Sequence, residues 1–166
     1  MNKSRFFAPL LLALALPLAA QIVADDPDWK ESPVPPAPMF DLNRLVKVEV
    51  FAQSPMQWGV DSQSIQISKS DSVVRYVIVA RSPSGVVNAM YEGLRCNKAE
   101  VITYARYNKD SGWVNVSRPE WKSFRDTAGL RHAGQAAKQG LCDGSAPPAT
   151  VRHAVERLRK GAEITP

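Results

Sequence analysis

Apolar and polar side chains alternate most clearly between residues 73 and 96, where the chain reads VVRYVIVARSPSGVVNAMYEGLRC. One face of the first extended segment is wholly apolar and consists of Val74, Tyr76, Ile78 and Ala80. The opposite face mixes valines with Arg75 and Arg81. Residues 82–85, Ser-Pro-Ser-Gly, fit a tight turn, because proline presets φ at the second position and glycine suits the fourth. The pattern predicts a β-hairpin that ends at Cys96.

Shorter segments on both sides of this hairpin show the same strand-like composition. Four of them are residues 46–50, 65–67, 101–107 and 113–116. Residues 53–59 break the pattern with Pro55 and Gly59, which predicts a loop that folds Trp58 over the sheet. The connections are short throughout, and short connections favour antiparallel neighbours. The sequence therefore predicts an antiparallel meander of five or six strands.

The period of the pattern changes after Pro119. Residues 120–125 can form one or two helical turns, and residues 130–139 predict a longer helix that Gly140 ends. Thr150 can cap a last helix with one apolar stripe, which Gly161 ends. The fold class predicted is α+β, with two or three C-terminal helices packed on one face of the sheet.

The N-terminal residues read as a secretory signal. Lys3 and Arg5 precede the apolar residues 6–18, and two alanines at 19–20 suit cleavage. An uncleaved anchor is the alternative, but the apolar run is shorter than the roughly 20 residues that span a bilayer. No cysteine lies near the cleavage site, which excludes a lipid-anchored export route. We therefore expect a cleaved signal peptide at residues 1–20 and a soluble mature protein in the periplasm or, less favoured, the medium.

Four acidic residues and five prolines are concentrated in residues 25–38. This composition does not suit a helix or an interior strand. It predicts that residues 21–41 form an acidic, proline-rich flexible tether, with a proline-rich ligand for a partner domain as the alternative. Residues 42–166 are then a single domain.

The chain contains two cysteines, Cys96 and Cys142. In an oxidising compartment we expect them to pair. The loop that such a bridge closes is long enough to contribute about 4 kcal/mol on the chain-entropy model. A redox-active pair is the sharper alternative, but the CxxC spacing that tunes a reactive thiol is not present.

Charge is unevenly distributed along the chain. Residues 21–94 carry 6 Lys/Arg against 9 Asp/Glu, whereas residues 95–166 carry 13 against 7. The last predicted helix contributes four of these cations: Arg152, Arg157, Arg159 and Lys160. This asymmetry predicts attraction to an anionic envelope component such as a phospholipid headgroup, with a merely solvated surface as the alternative. Export argues against nucleic acid as the partner.

The sequence contains no established catalytic motif. It has no Gly-x-Ser-x-Gly elbow, no glycine-rich phosphate loop and no dinucleotide fingerprint, so no cofactor is expected. The only histidines are His132 and His153, and their spacing from the cysteines is not typical of a zinc site. Glu92 and Glu100 are the carboxylates nearest the predicted sheet centre, where burial would perturb a pKa. The alternative is that such a carboxylate pairs across strands with Arg75 or Arg106.

Arginines and tyrosines interleave along the central strands and include Arg75, Tyr91 and Arg95. On one strand face such residues could form a stacking platform. Alternation along a strand instead places the arginines outside and the tyrosines inside, which is the simpler interpretation.

The order of motifs resembles the CNP-one-like family of exported proteins of betaproteobacteria over residues 42–158. The matching residues are Val73-Val74-Arg75-Tyr76, Asn88, Tyr91-Glu92-Gly93-Leu94-Arg95-Cys96, Glu100, Tyr104-Ala105, Gly112-Trp113, Trp121, His132 and Cys142. Asp143 stands where the family pattern has proline, a difference that we expect to affect only a turn. The resemblance implies a secreted or periplasmic domain with paired cysteines, and it implies no activity.

Two functional hypotheses follow. The first is a non-enzymatic periplasmic accessory or binding module that acts on a protein partner or an anionic envelope component. Its candidate surface comprises Arg75, Tyr91, Glu92, Arg95, Arg152, Arg157, Arg159 and Lys160. The second is a cell-envelope hydrolase that uses Glu92 or His132 in a cleft.

Overall fold

The computed structural model describes residues 27–50, 55–125 and 127–164, so the predicted signal peptide lies outside the described residues. Within this part the chain forms an eight-stranded antiparallel sheet followed by helices. The strands are β1 (Leu45–Val48), β2 (Gln57–Asp61), β3 (Gln66–Ile67), β4 (Val74–Arg81), β5 (Val87–Arg95), β6 (Glu100–Asn108), β7 (Gly112–Asn115) and β8 (Lys122–Ser123). The helices are α1 (Arg131–Ala136) and α2 (Val151–Ile164). The predicted α+β class is confirmed. The sheet has eight strands where the sequence predicted five or six, because β2 and β8 lie in segments predicted as a loop and a helical turn.

Strand order in the sheet is β1-β2-β4-β5-β6-β7, with β3 paired to β4 and β8 paired to β6. The predicted hairpin is its centre, in register from Val74 opposite Leu94 to Arg81 opposite Val87. The turn closes through a hydrogen bond from Gly85 N to the Ser82 carbonyl (2.9 Å), and Gly85 has φ +82°. Glycine adopts this left-handed conformation without a Cβ penalty, which explains its place in the turn.

Two local predictions are wrong. Trp58 lies within β2, opposite Val48 and Ala80, and does not belong to a loop. Residues 122–123 form β8 in place of a helical turn, paired with the start of β6 at Glu100 and Val101. Because β7 covers only the end of β6, the start of β6 keeps free backbone groups that β8 then bonds.

The C-terminal third packs on one face of the sheet. A short 3₁₀ segment, Ala128–Leu130, precedes α1, and a similar segment near the N-terminus, Leu42–Arg44, precedes β1. The helix predicted over 130–139 divides into α1 and a π-helical turn, Ala137–Leu141. Gly140, which was predicted to end the helix, lies within this turn and has non-helical backbone angles. A Cβ at Gly140 would lie 2.6 Å from the Leu158 nitrogen, so glycine permits this turn to contact the backbone of α2. Thr150 caps α2 as predicted, since its Oγ1 accepts a hydrogen bond from His153 N (3.1 Å).

Cys96 and Cys142 form a disulfide, as predicted. Cys96 follows β5 directly, and Cys142 follows the π-helical turn. The bridge therefore joins the central hairpin to the helical layer. Both cysteines belong to the apolar core between the sheet and the helices.

The N-terminal residues 27–40 lie along the opposite face of the sheet. The Trp29 indole nitrogen donates to the Asp71 carbonyl (2.9 Å), and that of Trp113 donates to the Pro38 carbonyl (3.0 Å). Phe40 packs edge-to-face on Tyr107 and on Trp113. Composition predicted a flexible tether here, but Trp29 and Phe40 make specific contacts with the rest of the fold. Among the described residues no helix is both long and apolar enough to cross a bilayer.

Candidate functional site

Glu92 lies at the centre of the sheet on the face that the helices cover. Its strand, β5, alternates so that Met90 and Leu94 point to the same side, and Tyr76 on β4 lies directly opposite. A register shift between β5 and β6 follows Tyr91 and places Thr103 beside Glu92. The side chain of Glu92 has 0% of its surface exposed. The sequence thus places a carboxylate in an apolar core, where it requires partners.

Three side chains form hydrogen bonds with this carboxylate. The Tyr76 hydroxyl donates to Oε2 (2.8 Å), and the Thr103 hydroxyl donates to Oε1 (3.3 Å). His132 of α1 places Nε2 3.0 Å from Oε1 and 3.3 Å from Oε2. Trp58 stacks on the His132 ring with centroids 4.8 Å apart and planes at 4°. We call these five residues the Glu92 cluster.

The Glu92 cluster ties α1 to the sheet. Burial raises the pKa of Tyr76 well above its usual range, and the charge of Glu92 with its hydrogen bond raises the pKa further. Tyr76 therefore remains a proton donor to the carboxylate at neutral pH. A histidine paired with a carboxylate is also the arrangement of a general base and its orienting group. Here, however, His132 is only 5% exposed and its Nε2 is already bonded to Glu92.

Neither predicted arginine is the partner of Glu92, so that prediction is wrong. Arg75 bonds to Asp71 on the opposite side of the sheet, and Arg106 contacts the sulfur of Met90. The true partner is His132, 40 residues along the chain.

A second polar cluster lies on the other face, beneath residues 27–40. The guanidinium of Arg75 donates to Asp71 Oδ2 (2.7 Å) and to Glu31 Oε1 (3.3 Å). Tyr104 also donates to Glu31. Asp71 additionally accepts from Ser32 N (2.8 Å), so residues of the N-terminal segment complete the cluster.

Electrostatics in this second cluster favour the ionised acid and the neutral phenol. Burial by itself raises the pKa of Asp71, but the hydrogen bonds from Arg75 and from backbone groups outweigh it and lower the pKa well below its usual range. Burial and the hydrogen bond to Glu31 raise the pKa of Tyr104 well above its usual range. Burial also raises the pKa of Tyr91, whose hydroxyl has no hydrogen-bond partner in the described part of the chain.

The block Tyr91 to Cys96 lies between the layers that cover the two faces of the sheet. A Cβ at Gly93 would lie 2.3 Å from the Tyr104 hydroxyl, so glycine leaves the space that the tyrosine ring occupies. The guanidinium of Arg95 lies 3.8 Å from the ring centroid of Trp29 and bonds to Glu100 (3.1 Å). Each residue of the block contributes to packing between the sheet and one of the layers that cover it.

The structure divides the predicted candidate surface into separate regions. Arg75, Tyr91 and Arg95 face the N-terminal segment, and Glu92 faces the helices. The cations of α2 lie on its outer side, where Arg152, Arg159 and Lys160 are exposed. Arg157 is the exception, because its guanidinium bonds to Asp143 Oδ1 (2.6 Å).

Sequence reasoning missed Tyr76, Thr103 and Trp58 as partners in the Glu92 cluster. The register of the hairpin places Tyr76 opposite Glu92, so the contact between Tyr76 and Glu92 could have been predicted from the hairpin sequence. The other two depend on a register shift and on the position of α1, for which the sequence has no local pattern. Among the described residues no group of three or more His, Cys, Asp or Glu side chains could hold a metal ion.

The sequence model of the CNP1-like family matches residues 24–159. The chain is also similar to "Cryptic neisserial protein 1" of Neisseria gonorrhoeae (strain ATCC 700825 / FA 1090), with 26% identity over 142 residues, 78% of this chain and 70% of the relative. No solved structure matches. The family match begins at residue 24, so it includes the N-terminal segment that packs on the sheet.

Proposed function

Since the chain belongs to the CNP1-like family, we propose that it is a non-enzymatic, exported binding module whose basic C-terminal third recognises an anionic component of the bacterial envelope. The observation that carries the proposal is a contrast between two sets of charged groups. Glu92 and His132, the residues that could perform acid–base chemistry, are buried and bonded to each other. Arg152, Arg159 and Lys160 of α2, by comparison, face solvent.

Exposed cations on one helix are suited to long-range attraction. Arg152, Arg159 and Lys160 lie on α2, and the nearest carboxylate oxygen of Glu156 is 4.0 Å from Arg152 Nε. An exposed pair at that distance contributes little to stability and leaves the cation accessible to another anion. A surface of one sign raises the local concentration of ligands of the opposite sign.

Export is part of the proposal and is supported by two features of the chain. Residues 1–20 have the charge, apolar run and small residues of a secretory signal. The Cys96–Cys142 disulfide suits an oxidising compartment. An anionic envelope lipid would be accessible to a protein in that location.

Co-sedimentation with lipid vesicles tests the proposal. We expect the purified protein to bind vesicles of phosphatidylglycerol mixed with phosphatidylcholine, and not vesicles of phosphatidylcholine alone. Each cation near an anionic surface contributes about 1 kcal/mol, so the triple variant Arg152→Gln/Arg159→Gln/Lys160→Gln should bind about a hundredfold more weakly at low salt. Added salt should weaken binding of the unmodified protein.

A matched control removes the same charge from the other half of the chain. Lys30, Lys69 and Arg81 are exposed, and their replacement by glutamine should change vesicle binding much less. Equal losses in both triple variants would indicate attraction by net charge alone. That result, or indifference of the protein to lipid charge, would refute the proposed surface.

A further inference from the structure

A pocket lies beside the disulfide, between the start of β6 and the helical layer. Its volume is about 380 Å³, and its apolar wall contains the Cys96–Cys142 bridge, Ala99, Phe124 and Ala137. Gly134 and Gly144 complete the backbone of its wall. We call it the disulfide pocket. Its size falls within the range of small-molecule sites, which is roughly 300–1,000 Å³.

Three cations from separate parts of the chain line the disulfide pocket. Arg125 follows β8, Lys138 belongs to the π-helical turn, and Arg157 belongs to α2. Arg125 and Lys138 are exposed, so an anion can reach them from solvent. The described lining residues include no carboxylate. Convergence of three cations at one concave site concentrates positive potential there.

The charge of the site matches a dianion. The three lining cations are partly offset by Asp143, which accepts a hydrogen bond from Arg157. Arginine forms paired hydrogen bonds with phosphate oxygens, and lysine supplies a compact point charge. A phosphate monoester carries between one and two negative charges at neutral pH. A monocarboxylate would leave more of the positive charge of the pocket uncompensated.

The apolar wall favours binding of a phosphate ester over binding of inorganic phosphate. Phe124, Ala137 and the disulfide offer surface that inorganic phosphate would leave unused. A short hydrocarbon group attached to the phosphate would bury this surface on binding. The disulfide also holds this wall in place, because it links Cys96, which follows β5 of the sheet, to Cys142, which follows the π-helical turn.

We propose that the disulfide pocket binds the phosphate monoester group of a small amphiphilic molecule. Arg125, Lys138 and Arg157 contact the phosphate, and Phe124 and Ala137 contact the apolar part. The inference goes beyond the proposed function, because it adds a second site, separate from the exposed cations of α2, and names a ligand class for it. The same chemistry is present in a soluble phosphate ester and in the headgroup of a lipid that ends in a phosphate monoester.

Titration calorimetry with hexyl phosphate tests the site, with inorganic phosphate and hexanoate as comparison ligands. We expect hexyl phosphate to bind most tightly, because it alone satisfies both the cations and the apolar wall. The variant Arg125→Gln/Lys138→Gln should weaken binding of hexyl phosphate at least about tenfold. The control Arg118→Gln/Lys122→Gln removes the same charge from exposed positions outside the pocket and should leave binding within about twofold.

Vesicles containing phosphatidic acid, which presents a phosphate monoester, distinguish the two ligand sources. If Arg125→Gln/Lys138→Gln weakens binding to these vesicles as well, the pocket accepts the lipid headgroup; if it weakens only hexyl phosphate binding, the ligand is a soluble ester. Equal affinity for hexyl phosphate and hexanoate, or equal losses in the pocket and control variants, would overturn the inference. The α2 triple variant keeps the two proposals separate, because it should lose binding to phosphatidylglycerol vesicles and retain hexyl phosphate binding.

Discussion

Replacing Glu92 by leucine is expected to lower the free energy of unfolding by about 3–5 kcal/mol, because three buried polar groups lose their common partner and each costs about 1–3 kcal/mol when it is left unsatisfied. The substitution leaves the hydroxyls of Tyr76 and Thr103 and the Nε2 of His132 without their common acceptor. Each unsatisfied buried donor costs free energy. Denaturant unfolding followed by circular dichroism measures the change.

The matched control for this substitution is Glu100→Gln. Glu100 pairs with Arg95 at 3.1 Å, but 29% of its side chain is exposed, so we expect a loss of at most about 1 kcal/mol. A double variant, Glu92→Leu/His132→Leu, should lose less than the sum of the single losses, since apolar residues can replace a buried pair at little cost. A catalytic carboxylate would behave differently, because strained active-site residues are often replaced with a gain in stability. A neutral or stabilising Glu92→Leu substitution would therefore contradict the structural role.

Alkaline pH is expected to destabilise the protein through its buried tyrosines. The pKa of Tyr76 in the folded protein is raised above the value of about 10 in an unfolded chain. Its contribution to stability is therefore fully present below pH 10 and is lost as the pH rises towards the folded pKa. The loss is about 1.4 kcal/mol for each pH unit above 10, and Tyr104 adds a loss of the same sign.

Unfolding is measured between neutral pH and about pH 11.5, and because lysine side chains also lose their protons in this range, the effect of Tyr76 is isolated by comparison with a variant. The variant Tyr76→Phe removes the titrating hydroxyl, so its stability should fall less steeply above pH 10 than that of the unmodified protein. Tyr104→Phe should reduce the slope in the same way. Parallel pH profiles for the unmodified protein and Tyr76→Phe would show that the hydroxyl is not held by Glu92 in the folded core.

Local patterns were sufficient to predict the centre of the fold. The hairpin, its turn and the cap at Thr150 depend on residues close in sequence, and each was confirmed. The disulfide was also predictable, since the chain contains only two cysteines. Trp58 was wrongly predicted to lie in a loop because Pro55 and Gly59 suggest one. In the structure Trp58 belongs to β2, which is hydrogen-bonded to β1 on one side and to β4 on the other.

Long-range contacts explain what the sequence did not predict. Glu92 and His132 meet only because α1 packs on the sheet, and a carboxylate in a strand has no local feature that identifies a histidine 40 residues away. Composition likewise predicted a tether where Trp29 packs on Trp121, just before β8, and Phe40 packs on Tyr107 of β6. In both cases packing between layers decided the outcome.

The Tyr91–Cys96 block is best understood as the centre of the architecture. Glu92 and Leu94 face the helices, Gly93 makes room for Tyr104, and Arg95 stacks between the sheet and Trp29. The residues of this block thus join three layers of the fold. The surfaces that we propose for binding lie elsewhere, on α2 and at the disulfide pocket.

Chemical modification of the two histidines tests this division between architecture and surface most directly. Diethyl pyrocarbonate, followed by mass spectrometry of peptides, reports the accessibility of each imidazole in the folded protein. We predict that the partly exposed His153 reacts and that His132, stacked on Trp58 and bonded to Glu92, reacts only after unfolding. Modification of His132 in the folded protein at the rate of His153 would show an accessible histidine–carboxylate pair and would contradict a purely structural Glu92 cluster.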